Sequence, residues 1–158
     1  MNINKSYINL ALWILTLMFV GSAIGSVMQG SVDTWYKTLV RSPLTPPNYV
    51  FGIAWSILYA MIGVSGWLIW KKEPSSNIQL IKQLYTAQLI LNWCWTPLFF
   101  RYHQTSLALI CMIMIIILVS ILISKAYKTL PNVSFLMTPY LLWLIFASHL
   151  NAYILIYN

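Results

Sequence analysis

Charge is confined to a few short places in this sequence, and that constrains the fold more than any motif does. No Asp, Glu, Lys or Arg falls between Lys5 and Asp33, between Arg41 and Lys71, between Lys82 and Arg101, between Arg101 and Lys125, or after Lys128. Each interval supplies about the twenty residues that a helix needs to cross a hydrocarbon layer. In lipid the backbone has no water to bond, so segments of this kind are helical. Only 7% of residues are charged and 60% are hydrophobic, far from the soluble pattern. The expected fold is an all-α integral membrane protein, a bundle of five transmembrane helices. The spans fall at about 8–28, 49–70, 81–100, 107–126 and 133–157, within a single domain covering 1–158. The first apolar run is too long for a cleaved signal peptide, and the spans after it mark a polytopic chain.

The net charge of +7 does not point to nucleic acid, because the basic residues sit singly or in pairs between apolar runs. They read instead as topology determinants. Lys5, Lys71, Lys72, Lys82, Lys125 and Lys128 fall on the side of the N-terminus, and Lys37, Arg41 and Arg101 on the other. This bias places the N-terminus in the cytoplasm and the long first loop, about 29–48, outside. That loop holds Asp33, Trp35, Tyr36 and the prolines Pro43, Pro46 and Pro47. Prolines lower the entropy cost of ordering a loop, so it reads as a structured lid, or else as an interfacial aromatic anchor before the next helix.

Three spans carry polar and aromatic stripes. On a helical wheel Tyr85, Gln88, Asn92, Trp95 and Phe99 of the third span share an arc about 80° wide. The second span aligns Phe51, Trp55, Tyr59, Ile62 and Gly66 in the same way. The fifth aligns Tyr140, Trp143, Ala147, Leu150, Asn151 and Ile154. Amides facing lipid would go unbonded at a cost of kilocalories, so the stripes face inward. They form either an interhelical hydrogen-bond seam or the wall of a pocket for a flat, largely apolar ligand. The first span adds Gly21, Gly25, Ser22 and Ser26, small residues spaced for close helix packing within the bundle. The fourth span has no polar stripe and is expected to face lipid over much of its surface.

Cys94 and Cys111 lie in apolar spans and read as buried thiols; His103 reads as interfacial, and His149 falls opposite the fifth span's stripe. The only acidic residues, Asp33 and Glu73, lie in loops, which disfavours proton-coupled transport. The sequence shows no nucleophile–base pair, no phosphate loop and no metal-ligand spacing. No cofactor, metal or nucleic-acid partner is therefore expected. An aromatic, amide-bearing cavity among the second, third and fifth spans, with the small residues of the first alongside, suits a planar hydrophobic molecule such as a tetrapyrrole or sterol.

Three stretches together resemble the translocator protein family, also called tryptophan-rich sensory proteins or peripheral-type benzodiazepine receptors. The first is Trp35-Tyr36, Pro43, Pro46-Pro47, Val50-Phe51-Gly52, Trp55 and Leu58-Tyr59. The second is Gln88 through Asn92-Trp93-Cys94-Trp95 to Phe99-Phe100. The third is Pro139-Tyr140, Trp143, Phe146-Ala147 and Leu150-Asn151. The resemblance covers essentially the whole chain. It implies a five-helix bundle, a homodimer, and a pocket closed by the first loop that binds porphyrins, haem-related tetrapyrroles, cholesterol or drug-like molecules. Matching positions give pocket roles to Trp55, Asn92, Trp95, Trp143, Ala147 and Leu150. The expected ligand-binding set is thus Trp35, Trp55, Tyr59, Gln88, Asn92, Trp95, Phe99, Tyr140, Trp143, Ala147, Leu150 and Asn151. The function implied is a receptor or carrier. The alternative is oxidative porphyrin breakdown, with Trp55 and Trp143 as the redox-active groups. Animal members end the fifth helix with a Leu/Val, Tyr, Lys/Arg sterol motif. Here Leu150 and Tyr153 are followed by no Lys or Arg, which weakens the case for sterol there and points to a bacterial member.

Overall fold

The computed structural model describes residues 3–158, with side chains from Ser6 onward, so Lys5 lies outside the described side chains. Every regular element of the described chain is a helix: α1 Ile3–Asp33, α2 Trp35–Thr38, α3 Asn48–Trp70, α4 Ser76–Phe100, α5 Thr105–Ala126 and α6 Pro131–Tyr157. Four of them, α1, α3, α5 and α6, are long and apolar enough to cross a membrane. At 25 residues α4 has the length, but polar side chains such as Gln79, Lys82, Gln83, Gln88 and Asn92 dilute its apolar composition. The two amides of its central stretch, Gln88 and Asn92, are buried inside the protein.

Local signals set the helix ends. Ser75 caps α4 by accepting a hydrogen bond from the Ile78 N–H at 3.2 Å, so the helix starts at Ser76, earlier than the hydropathy of its central stretch indicates. Pro131 opens α6 at a position where a missing N–H costs nothing. At 31 residues α1 is about 46 Å long, more than a hydrocarbon core requires, and it carries the chain as far as Asp33 before the first loop begins. That loop contains the single turn α2.

Helix α5 packs between α4 and α6 and turns one face into the core, where Ala108, Met112, Ile115, Val119 and Leu122 are all but fully buried. Its other face, with Ile110, Ile113 and Ile117, is exposed. The core continues through Ile62, Ile81, Tyr85, Met137, Tyr140 and Leu144. On the opposite side α1 leans on α3. A Cβ at Gly63 would press on the α1 backbone at Ile14, and one at Gly66 would run into Trp13 and the Tyr85 hydroxyl. These two glycines let the helices cross closely. The α3–α4 and α5–α6 connections share one end of the bundle, where Asn77 Nδ2 donates to the Lys125 carbonyl and to Thr129 Oγ1, each at 3.3 Å. Cys111 is buried and donates to the Leu91 carbonyl at 3.4 Å. Cys94 corrects the expectation of a buried thiol: it is exposed, because it lies off the inward stripe of α4.

Candidate functional site

A cavity of about 420 Å³ lies between α1, α3, α4 and α6, under the α2 turn. Its size is that of a small-molecule site. Helix α3 contributes Trp55 and Tyr59, α4 contributes Asn92, Trp95 and Phe99, and α6 contributes Trp143, Ala147, Leu150 and Asn151. These are the inward stripes of the sequence, brought to one space. Helix α5 contributes nothing.

Three expected residues do not line it. Tyr140 is fully buried behind the wall, where its hydroxyl accepts from Asn92 Nδ2 at 3.0 Å. Gln88 is fully buried one turn below Asn92, and neither of its amide atoms has a partner among the described residues. Trp35 faces away. The α2 turn directs it onto the His103 ring, stacked at 4.0 Å, and edge-on to Phe99, while its neighbour Tyr36 turns into the cavity. His103 adopts a left-handed backbone (φ 55°) at the α4–α5 corner that receives this stack.

Helix α1 supplies more of the lining than its small residues alone indicate: Met18, Gly21, Ser22, Gly25, Met28, Gln29 and Val32. The glycine spacing was the signal, and its two ends do different things. A methyl at Gly21 would collide with the Tyr59 ring, so that glycine is a helix-packing contact. A methyl at Gly25 would meet nothing, and Gly25 lines open space.

Two hydrogen-bond chains tie the wall together. The Tyr59 hydroxyl donates to Asn92 Oδ1 at 2.8 Å, and Asn92 Nδ2 reaches Tyr140. Trp95 Nε1 donates to Asn151 Oδ1 at 3.3 Å, and Asn151 Nδ2 donates to the Thr105 carbonyl at 2.9 Å. Asn92 and Asn151 therefore use both ends on protein partners; of the other two lining amides, Gln29 gives its Nε2 to Asp33 at 3.0 Å, and Asn48 forms no side-chain hydrogen bond among the described residues. The indole N–H of Trp143 has no partner among the described residues. Among the described residues no charged side chain and no histidine lines the cavity. Among the described residues no group of His, Cys, Asp and Glu is placed to hold a metal. Aromatic contacts stiffen the walls, with Trp95 stacked on Phe99 at 5.3 Å and Phe51 edge-on to Trp143 at 5.9 Å.

The first loop is fastened over one end. Asn158 holds Val40 from both sides: its Oδ1 accepts from the Val40 N–H at 2.9 Å and its Nδ2 donates to the Val40 carbonyl at 3.1 Å. Ser42 is buried, bonds the Leu44 N–H, and lies 3.4 Å from His149 Nε2. His149 thus faces the loop. Burial raises the Tyr36 phenol above its ordinary range, and the nearby Arg41 charge partly offsets this.

The TspO/MBR family model matches residues 13–157. The chain belongs to the TspO/MBR family. Among its relatives is the tryptophan-rich protein TspO of Archaeoglobus fulgidus, 35% identical over 145 residues, covering 92% of this chain and 94% of the relative. The translocator protein of Homo sapiens is 33% identical over 135 residues, covering 84% and 78% of the two chains. The tryptophan-rich protein TspO of Chlorobaculum tepidum is 32% identical, covering 98% and 99%. This TspO/MBR chain is thus alike end to end to archaeal and bacterial members and over most of its length to an animal one.

Proposed function

We propose that this protein is a membrane receptor or carrier that binds planar hydrophobic ligands, chiefly porphyrins and other haem-related tetrapyrroles, in the cavity between α1, α3, α4 and α6. The observation that carries the reading is an uncharged, aromatic-walled space whose central amides, Asn92 and Asn151, are already bonded to the protein. Such a surface offers ring faces and apolar area and demands little hydrogen bonding, which suits a flat conjugated molecule. In this reading α4 is the fifth membrane span, its amides turned away from lipid. The N-terminus is cytoplasmic in a bacterial membrane, the first loop is an external lid, and the working unit is a homodimer. With both acidic residues at helix ends or in loops, transport would not be ion-coupled.

A second reading is favoured by one observation: Trp55 and Trp143 both reach the cavity, and the Trp143 indole N–H is unpartnered. Those two rings would relay electrons if dioxygen oxidised a bound porphyrin. Absorption spectroscopy of protoporphyrin with the purified protein, in light and in dark, separates the two. A receptor returns the porphyrin unchanged. A Soret band that fades into a new product, and persists in Trp55→Phe and Trp143→Phe, would establish the enzyme.

A further inference from the structure

The cavity has no means of neutralising an acid. No charged group among the described residues lines it; Asn92 and Asn151 are already committed to protein partners and Gln29 gives its Nε2 to Asp33, which leaves Asn48 as the lining amide without a side-chain partner among the described residues. Burying a carboxylate there unpaired would cost several kilocalories per mole. A ligand that is flat, apolar and acidic must therefore place its charge elsewhere, and the first loop provides a place. Beside the cavity, under residues 39–48 of the first loop, lies a polar hollow lined by Arg41, Ser42, Thr45 and Asn48. Asn48 belongs to both spaces. The Arg41 guanidinium carbon stands 5.5 Å from the centre of the Tyr36 ring, and Tyr36 lines the cavity. The other described cation–ring contacts, Lys71 on Trp67 and Lys82 on Trp70, involve rings that do not line it.

We propose that Arg41 is a carboxylate subsite: it takes the acid group of an amphipathic planar ligand whose apolar body occupies the cavity, with Asn48 at the junction. The charge is free for the purpose. Of the two acidic residues, Asp33 is bound to Lys37 at 3.0 Å and to Gln29 at 3.0 Å, and Glu73 lies in the α3–α4 connection at the other end of α3. Arg41 forms no ion pair among the described residues. Its position is prepared, because both chain neighbours are tied down: Val40 by the Asn158 amide, Ser42 by burial against His149. Arginine's fork suits two carboxylate oxygens at once. Helix α3 starts at Asn48 with no side-chain cap, so its positive end adds to the same field. The ligand class that follows is a flat aromatic carboxylic acid, recognised as an acid and not merely as a hydrophobe.

This inference rests on the cavity being a ligand site, so the test uses two matched pairs. Protoporphyrin IX and its dimethyl ester form one; pyrenebutyric acid and its methyl ester form the other. All four are titrated in nonionic detergent against the parent protein, Arg41→Gln and Arg41→Lys. The expected result is that Arg41→Gln weakens the acids about five- to tenfold and leaves the esters within twofold, while Arg41→Lys restores part of the loss, as for a partly exposed charge-assisted contact. The acid preference of the parent should also shrink as salt is raised. Equal losses for acid and ester, or no loss for either, would overturn the subsite. If neither porphyrin binds but the pyrene pair shows the Arg41-dependent preference, the subsite stands and the tetrapyrrole reading falls.

Discussion

Asn92 shows how one side chain sets both the shape and the polarity of the cavity. Placed between the Tyr59 and Tyr140 hydroxyls, it links α3, α4 and α6 in a single chain. Asn92→Leu leaves both hydroxyls without that partner, that of Tyr140 in a fully buried place, so thermal denaturation should show a loss of about 1–3 kcal/mol. Tyr140→Phe removes only one member and should cost less, about 1 kcal/mol. Gly21 controls the same chain from outside. A methyl there pushes on the Tyr59 ring, and Gly21→Ala should destabilise the protein by about 1–3 kcal/mol, whereas Gly25→Ala, with open space before it, should be close to neutral. Melting curves of the two alanine variants, side by side, test this asymmetry. At this scale the sequence was readable where periodicity decides direction. Trp55, Asn92, Trp95 and Ala147 follow from the wheel, because a helix fixes which side chains share a face. Trp35 and Tyr36 do not, because they sit on a four-residue turn. Its orientation is set by the stack on His103, a residue far along the chain.

Among the elements, α4 is the informative one. Its composition argues against a membrane segment while its burial pattern argues for one, since its central amides point inward. The long helices were legible because charge-free intervals and helical stripes are local properties of the sequence. The part played by α1 was less so: its small residues Gly21, Ser22, Gly25 and Ser26 read as a packing face, although Ser22, Ser26, Gln29 and Asp33 share one exposed arc of the helix and Ser22 and Gln29 line the cavity. The loop's fastening was not legible at all: the Asn158 amide imitates a peptide partner for Val40 across 118 positions. Removing it should free the loop without unfolding the helices. In Asn158→Ala, amide exchange at Val40 should accelerate by about tenfold, the equivalent of one or two lost hydrogen bonds, while exchange within α5 stays unchanged. Equal protection of Val40 in the variant would show that the clasp does not hold the lid.

For the whole molecule, the asymmetry of basic residues gives an orientation that labelling can check. On a Cys94→Ala, Cys111→Ala background, a Thr38→Cys probe in the exposed first loop should react with an impermeant maleimide added outside intact cells. Labelling only after the cytoplasmic side is opened would reverse the topology. The central claim is that the cavity itself takes the ligand, and Ala147 is the place to ask. It lines the space one turn from Trp143, on a helix that packs on α3 and α5. Leucine there adds three carbons' worth of bulk to the space a ring system would fill. The measurement is a protoporphyrin titration, followed by tryptophan quenching, of the parent, Ala147→Leu and the outward-facing control Leu142→Ala, with ligand-free melting temperatures taken alongside. The account predicts saturable binding by the parent. It predicts a loss of about 1–3 kcal/mol, one to two decades in affinity, for Ala147→Leu at an unchanged melting temperature, and parent-like binding by Leu142→Ala. A folded Ala147→Leu protein that binds as tightly as the parent would contradict it.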